Sequence, residues 1–133
     1  MIMPDIRMSV FKHGQLPGAL ELALVGDSVY DLFVRSHLVL KGGRVKDIHK
    51  NAVKHVNAHA QAMALDRIET ELTEEEAGIV RRARNAKQTP TKNADAGDYH
   101  KATALEALFG FLYLTGQKER LDRFMALCTN MEG

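Results

Sequence analysis

The sequence has 133 residues, enough for a single domain with its own hydrophobic core. Apolar residues make up 45% of the chain and charged residues 26%, and this balance excludes a disordered, collagen-like or fibrous protein. The net charge of +1 excludes a polycation, so any contact with nucleic acid must come from a local basic patch. Cys128 is the single cysteine, which excludes an internal disulfide and suits a reducing cytosol.

Targeting signals are missing from the sequence. No stretch is apolar over the length that a lipid bilayer requires. The first 18 residues lack the basic-then-apolar order of a secretory signal peptide. We therefore expect a cytoplasmic protein with no membrane contact.

Apolar residues recur at helical spacing along most of the chain, and strand signals are nearly absent. The pattern predicts an all-α bundle of about five main helices in one domain over residues 1–133. Residues 1–15 are expected to be loose or to form a short extra helix. The predicted helices cover residues 17–40, 45–68, 73–85, 98–114 and 118–129.

Local signals mark the ends of these helices. The stretch "KGGR" separates the first helix from the second. Thr73 and Glu76 have the spacing of a capping box and predict the start of the third helix. Before the fourth helix, Pro90 and Gly97 are expected to exclude helical structure from the polar loop "AKQTPTKNADAG".

Two of the predicted helices each carry a carboxylate among apolar neighbours. Asp27 lies in the first helix and Glu106 in the fourth, each with a glycine within one turn, at Gly26 and Gly110. Because a buried unpaired carboxylate is costly, we interpret the two as converging between packed helices to hold a divalent cation. Oxygen ligands favour Mg²⁺ in such a site. The alternative is that each carboxylate pairs with an arginine or caps a backbone group.

Other reactive side chains give weaker signals. His55 and His59 have metal-ligand spacing on a helix, but no cysteine or carboxylate nearby in the sequence completes a site. A solvated or interface histidine pair is therefore favoured. Cys128 is expected to be a packed small apolar residue rather than a nucleophile.

Basic residues concentrate around the polar loop before the fourth helix. The cluster comprises Arg81, Arg82, Arg84, Lys87, Lys92, His100 and Lys101. In a nearly neutral protein this concentration indicates a surface that binds phosphate groups. The alternative is a solvated helix end that balances the glutamates at residues 74–76.

Three stretches in combination resemble Mini-ribonuclease III, a bacterial family that has a ribonuclease III catalytic domain and no double-stranded-RNA-binding domain. They are "LALVGDSVYD", "RRARNAK" and "YHKATALEALFGFLYL", and the resemblance covers residues 17–128. It implies an endoribonuclease-domain helical bundle that cleaves double-stranded RNA with Mg²⁺, or with Mn²⁺ as a substitute. It also implies a cytoplasmic homodimer that matures precursor large-subunit (23S) ribosomal RNA. Asp27 matches the signature aspartate and Glu106 the essential downstream glutamate, so both are expected to be catalytic and metal-binding.

The sequence departs from full-length ribonuclease III at two positions of that motif. Ala23 stands where the larger family has a glutamate, and Thr103 stands where it has an aspartate. Two direct carboxylates then remain, and water should fill much of the metal shell. RNA affinity must come from the catalytic domain itself, and the expected RNA-binding residues are Arg81, Arg84, Lys87, Lys92 and Lys101.

The resemblance also suggests why small residues flank Asp27. In the family the dimer buries this signature helix near its two-fold axis, so Gly26 and Ser28 would let another helix, such as the dimer partner's, pass close by. Two other functions stay open at this point. One is a catalytically silent RNA-binding or ribosome-associated module on the same fold, and the other is an all-α dimeric interaction protein whose carboxylates only pair.

Overall fold

The computed structural model describes residues 15–88 and 95–131. Every regular element in these two ranges is helical, which confirms the predicted all-α class. The helices are α1 (Ala19–Lys41), α2 (Val45–Val56), α3 (Ala58–Ile68), α4 (Glu74–Asn85), α5 (Ala96–Leu114) and α6 (Lys118–Thr129), with a 3-10 turn at Glu69–Glu71. Among these helices none has the length and apolar content needed to cross a membrane. Pro90, Lys92 and nearly all of residues 1–15 lie outside the described ranges.

The prediction of one helix over residues 45–68 was wrong, because Asn57 divides this stretch into α2 and α3. The backbone of Asn57 is extended, and its side-chain oxygen accepts a hydrogen bond of 2.8 Å from the Ala60 N–H. Asn57 is thus the N-cap of α3, a role that asparagine fills well. The described residues therefore form six α-helices, close to the predicted number of about five.

The fourth predicted helix, α5, begins two residues earlier than expected. Asp95 caps it, since one of its side-chain oxygens accepts a hydrogen bond of 3.0 Å from the Asp98 N–H. Gly97 lies in the first helical turn, so the expectation that it excludes a helix was wrong. The cap satisfies a free N–H group of that first turn, which offsets the weak helical preference of a glycine there.

Helix α5 is the central element of the bundle. It packs against α1, α3, α4 and α6, and ten of its nineteen residues are buried. This arrangement explains why its sequence is apolar on nearly all sides. Helix α1, in contrast, leaves four leucines exposed: Leu20, Leu24, Leu32 and Leu40.

Helices α1 and α5 make backbone contact where Gly26 meets Gly110. A Cβ atom on Gly26 would lie 1.6 Å from the carbonyl oxygen of Glu106, and one on Gly110 would lie 1.9 Å from that of Leu22. No side chain fits at either position. The helix that passes Gly26 therefore belongs to the same chain, and a dimer partner is not needed to explain this glycine. Ser28 is exposed.

Candidate active site

The crossing of α1 and α5 places Asp27 beside Glu106. Asp27 follows the glycine of α1, and Glu106 is the residue of α5 whose carbonyl oxygen faces that glycine. The carboxyl group of Asp27 lies close enough to affect the ionisation of Glu106. The glutamate is partly buried, but the aspartate is exposed, contrary to the expectation that both are enclosed. Asp27 is open because α5 covers only one side of α1, and its neighbour Leu24 is 74% exposed.

Glu106 holds its proton far above the pH at which a glutamate usually ionises. Burial raises its pKa first, and the hydrogen bond and negative charge of Asp27 raise it further, from 4.5 to about 9. At neutral pH Glu106 therefore keeps its proton. A divalent cation between the two carboxyl groups would reverse this balance by stabilising both charges.

A different carboxylate in the same protein shows what pairing with arginine looks like. Glu76 is 2% exposed, and its carboxylate accepts a hydrogen bond of 2.6 Å from the guanidinium of Arg120. Burial opposes its ionisation, but the hydrogen bonds from Arg120 and Thr73 outweigh burial and lower the pKa of Glu76. Across residues 15–88 and 95–131, neither Asp27 nor Glu106 has such an ion pair. Pairing with arginine therefore does not explain them.

The donor set of this pair fits Mg²⁺. The described part of the chain contains no group of three or more histidine, cysteine, aspartate or glutamate side chains that could form a metal cage. Mg²⁺ keeps several of its waters and uses one or two carboxylates, which is what Asp27 and Glu106 offer. A structural zinc site would need four protein ligands, so this pair does not suit one.

Gln61 of α3 is a third polar side chain at this site, and the sequence pattern did not single it out. It is 3% exposed, and its amide faces the Glu106 carboxyl group, where it favours the ionised form. Its Nε2 atom has no partner in hydrogen-bonding geometry among the residues that the structure describes. The sequence did carry a signal that Gln61 is buried, because Gln61 lies on the same face of the helix as the buried Ala64, Leu65 and Ile68.

Two of the expected RNA-binding residues form ion pairs with acidic side chains. Lys101 Nζ lies 2.9 Å from a carboxylate oxygen of Asp66, and Arg84 lies 3.7 Å from one of Glu69. Both pairs join different helical elements at the surface. The positive charges of these two residues are therefore partly compensated. The concentration of basic residues in the sequence did not reveal this, because the acidic partners lie elsewhere in the chain.

The other expected RNA-binding residues are less constrained. Arg81 and Lys87 are exposed and have no ion pair with any residue in the described ranges. Lys92 lies outside those ranges. The uncompensated positive charge of this segment therefore begins on α4 and continues just beyond its end.

A hydrogen bond ties this basic segment to the helix that carries Glu106. Gln88 Nε2 donates to Thr103 Oγ1 at 2.8 Å, and Thr103 lies one turn before Glu106 on α5. The hydroxyl of Thr103 donates in turn to the carbonyl oxygen of Tyr99 at 3.0 Å. An open polar hollow of about 530 Å³ lies beside this contact, lined by Arg84, Asn85, Ala86, Lys87, Gln88 and His100. The end of α4 thus meets α5 close to the carboxyl pair.

The remaining candidates from the sequence do not join the site. His59 Nδ1 lies 3.0 Å from a carboxylate oxygen of Asp98, and the two form a surface pair. Burial and the nearby charges of Arg67 and Lys54 lower the pKa of His55, which keeps it neutral. Burial raises the pKa of Cys128 to about 12, which agrees with a packed thiol rather than a nucleophile.

Comparison with known proteins defines the class of this fold and site. A family model described as the Ribonuclease III domain matches residues 20–117. The protein is therefore an endoribonuclease of the ribonuclease III class.

Individual relatives show which family within the ribonuclease III class the chain belongs to. The chain is 46% identical over 108 residues to the Mini-ribonuclease 3 of Symbiobacterium thermophilum, with 80% of this chain and 83% of the relative covered. It is 42% identical over 125 residues to the Mini-ribonuclease 3 of Enterococcus faecalis, with 91% and 94% covered. The chain belongs to the Mini-ribonuclease 3 family. A crystal structure of a Fusobacterium nucleatum protein superposes with a TM-score of 0.81 at 30% identity, covering 86% of this chain and 94% of that one.

Proposed function

We propose that this endoribonuclease requires Mg²⁺, cleaves double-stranded RNA and uses Asp27 and Glu106 as its catalytic, metal-binding residues. The observation that carries the proposal is the pair of carboxyl groups in contact at the α1–α5 crossing, with no cationic partner among the described side chains. Mg²⁺, or Mn²⁺ in its place, supplies an activated water and stabilises the charge that develops on the phosphate.

The fold gives the two carboxylates different positions. Asp27 is exposed, so it can reach a cation that also contacts an RNA phosphate. Glu106 is partly buried and approaches the same point from the protein side. The contact between Gly26 and Gly110 fixes the distance between the helices that carry them. The crossing therefore holds the metal ligands on two rigid helices, as precise catalysis requires.

A cleavage assay tests the proposal. Purified protein is incubated with a labelled RNA duplex and, separately, with one of its single strands, in Mg²⁺ or in excess EDTA. We expect cleavage of the duplex in Mg²⁺ and none in EDTA, with the single strand left intact. Equal cleavage in EDTA would contradict the metal site, and preferential cleavage of the single strand would contradict the substrate class.

We further propose that the surface around the end of α4 binds the RNA backbone. Duplex RNA is recognised mostly by shape, through phosphates and 2′-hydroxyl groups. Arg81 and Lys87 are exposed and uncompensated, and Lys92 follows them in sequence. Arg84 and Lys101 would have to exchange their carboxylate partners for phosphates. The contact between Gln88 and Thr103 keeps this surface next to the carboxyl pair.

The exposed apolar stripe of α1 supports a homodimer. Leu24 and Leu32 are 74% and 56% exposed and lie about two turns apart on one side of the helix, and Leu20, which is 39% exposed, lies one turn before Leu24. An apolar groove of about 390 Å³ runs beside them, lined by Leu24, Val25, Ser28, Val29, Leu32 and Tyr113. An exposed apolar surface of this kind is typical of an interface. Light scattering should give twice the chain mass of 14.8 kDa, and a value near 14.8 kDa at micromolar concentration would contradict the dimer.

In such a dimer each subunit would cut one strand of the duplex. The natural substrate that we propose is precursor 23S ribosomal RNA in the cytoplasm, and this part rests on the family resemblance. A competition assay tests it, with a duplex built from the paired ends of that precursor against an unrelated duplex of equal length. We expect faster cleavage at defined positions in the ribosomal duplex, and equal cleavage at scattered positions in both would contradict this assignment.

A further inference from the structure

We propose that Gln61 is a positioning residue, which donates a hydrogen bond to the Glu106 carboxylate when that carboxylate turns to a divalent cation. This inference rests on the proposed function, since it concerns the same metal site. It adds a third helix, α3, to the two that carry the carboxylates.

The first reason to assign Gln61 a positioning role is the state of its side-chain amide. Gln61 is 3% exposed, and its Nε2 has no hydrogen-bond partner among the described residues, although buried amides nearly always have one. The amide faces the carboxyl group of Glu106. Gln61 thus lies close enough to act on Glu106 but is not aligned in hydrogen-bonding geometry, so a small turn of the carboxyl group would complete the hydrogen bond.

The chemistry of the carboxylate is the second reason. Asp27 of α1 lies beside the Glu106 carboxyl group, and Gln61 approaches the same group from α3. Once ionised, Glu106 has only acceptor positions, and its two oxygens need separate partners. A cation held by Asp27 and Glu106 would leave part of the Glu106 carboxylate free to accept another hydrogen bond. The Gln61 amide, which comes from α3, would donate that bond.

A neutral donor suits this role better than a cationic one. Arg120 forms an ion pair with Glu76 and neutralises the charge of its carboxylate. Gln61 would hold Glu106 in place and leave its negative charge for the cation. Groups that orient metal ligands in this way contribute about tenfold to a hundredfold to metal affinity in other proteins.

Direct measurement of metal binding, without RNA, tests this role. Mn²⁺ serves as the probe, because the bound ion loses the sharp paramagnetic resonance signal of the free ion, and Mg²⁺ is measured by competition. We compare the wild type with Gln61→Leu and with Gln61→Met, which keeps the length of the side chain. Gln88→Leu is the matched control, because it removes another part-buried amide that bonds to α5 at Thr103 and not at Glu106.

We expect both Gln61 variants to bind Mn²⁺ and Mg²⁺ about tenfold to a hundredfold more weakly, and Gln88→Leu to bind like the wild type. The metal-free Gln61 variants should melt at or above the wild-type temperature, because each loses an unpartnered buried amide. Excess Mg²⁺ should restore cleavage by Gln61→Leu. Metal affinity within twofold of wild type in both variants, with a lower melting temperature, would show that Gln61 only supports packing.

The same titration separates failure of this inference from failure of the proposed function. If the wild type binds metal and the Gln61 variants bind it equally well, only the positioning role is wrong. If the wild type does not bind Mn²⁺ or Mg²⁺, or if Asp27→Asn binds them as tightly as the wild type, the metal site itself is wrong.

Discussion

Replacing Gly26 with alanine should open the contact between α1 and α5. The new Cβ atom would lie 1.6 Å from the carbonyl oxygen of Glu106, and real contacts of this kind are essentially never under 3.0 Å. Both groups belong to helical backbone, so neither can rotate away and the helices must separate. Overpacking of this kind costs up to about 3 kcal/mol, and alanine returns about 1 kcal/mol through its better helical propensity. We therefore expect a net loss of about 2 kcal/mol in the free energy of unfolding.

Thermal denaturation and urea titration measure this loss. For a chain of this size the melting temperature should fall by about 8 °C, at roughly 4 °C for each kcal/mol. The matched control is Gly78→Ala in α4, where the new Cβ would meet only the mobile ends of Arg82 at 3.3 Å and Arg81 at 3.8 Å. That variant should be more stable than the wild type by up to about 1 kcal/mol.

The two variants make the same chemical change and should shift stability in opposite directions. Gly26→Ala should also slow cleavage, because the separation moves Asp27 away from Glu106. If Gly26→Ala is as stable as Gly78→Ala, the close approach of α1 and α5 is not a property of the folded protein. The account of the carboxyl pair that depends on this contact would then be wrong.

Three further predictions concern charge and assembly. Folding raises the pKa of Glu106 from 4.5 to about 9, so between these pH values the folded state binds more protons than the unfolded state. The metal-free wild type should therefore lose stability as the pH rises through this window. Urea titrations at several pH values should show this loss, and Glu106→Gln should lack it. The triple variant Arg84→Ala, Lys87→Ala, Lys92→Ala should bind duplex RNA more weakly. The slope of log affinity against log salt concentration should be smaller by about 0.7 to 0.9 for each lost contact. An unchanged slope would show that the RNA binds to another surface. Leu24→Glu should give a mass near 14.8 kDa in light scattering, and a stable dimer of this variant would contradict the α1 interface.

The helices could be predicted because their apolar periodicity is strong. The capping box at Thr73 and Glu76 appears as expected, with hydrogen bonds of 3.1 and 2.9 Å between the two residues. The break at Asn57 was missed because the apolar spacing continues from α2 into α3 across it. A capping asparagine and an asparagine on an exposed helical face look alike in a periodic pattern, and only the tertiary path of the chain separates them.

The carboxyl pair could be anticipated because charges in apolar helices are costly and therefore conspicuous. The surroundings of the pair could not be predicted from the sequence. The exposure of Asp27 depends on which side of α1 faces α5, and the pairing of Lys101 with Asp66 joins residues far apart in sequence. Gln61 escaped notice because a neutral amide in a short helix carries little weight in a hydrophobic pattern. Its significance comes from the atoms around it in the folded protein.

The most direct test of the central claim is single-turnover cleavage of saturating duplex RNA in Mg²⁺ by Asp27→Asn, compared with Asp31→Asn. Both variants change one carboxylate of α1 to an amide of equal size. Asp31 lies one turn further along and is held by Arg35 at 2.9 Å, away from the carboxyl pair. We expect the cleavage rate of Asp27→Asn to be lower than that of the wild type by a factor on the order of a hundred or more. Its melting temperature should be unchanged or higher. Asp31→Asn should cut at the wild-type rate. Cleavage by folded Asp27→Asn at nearly the wild-type rate would contradict the assignment of Asp27 and Glu106 as the metal-binding catalytic pair.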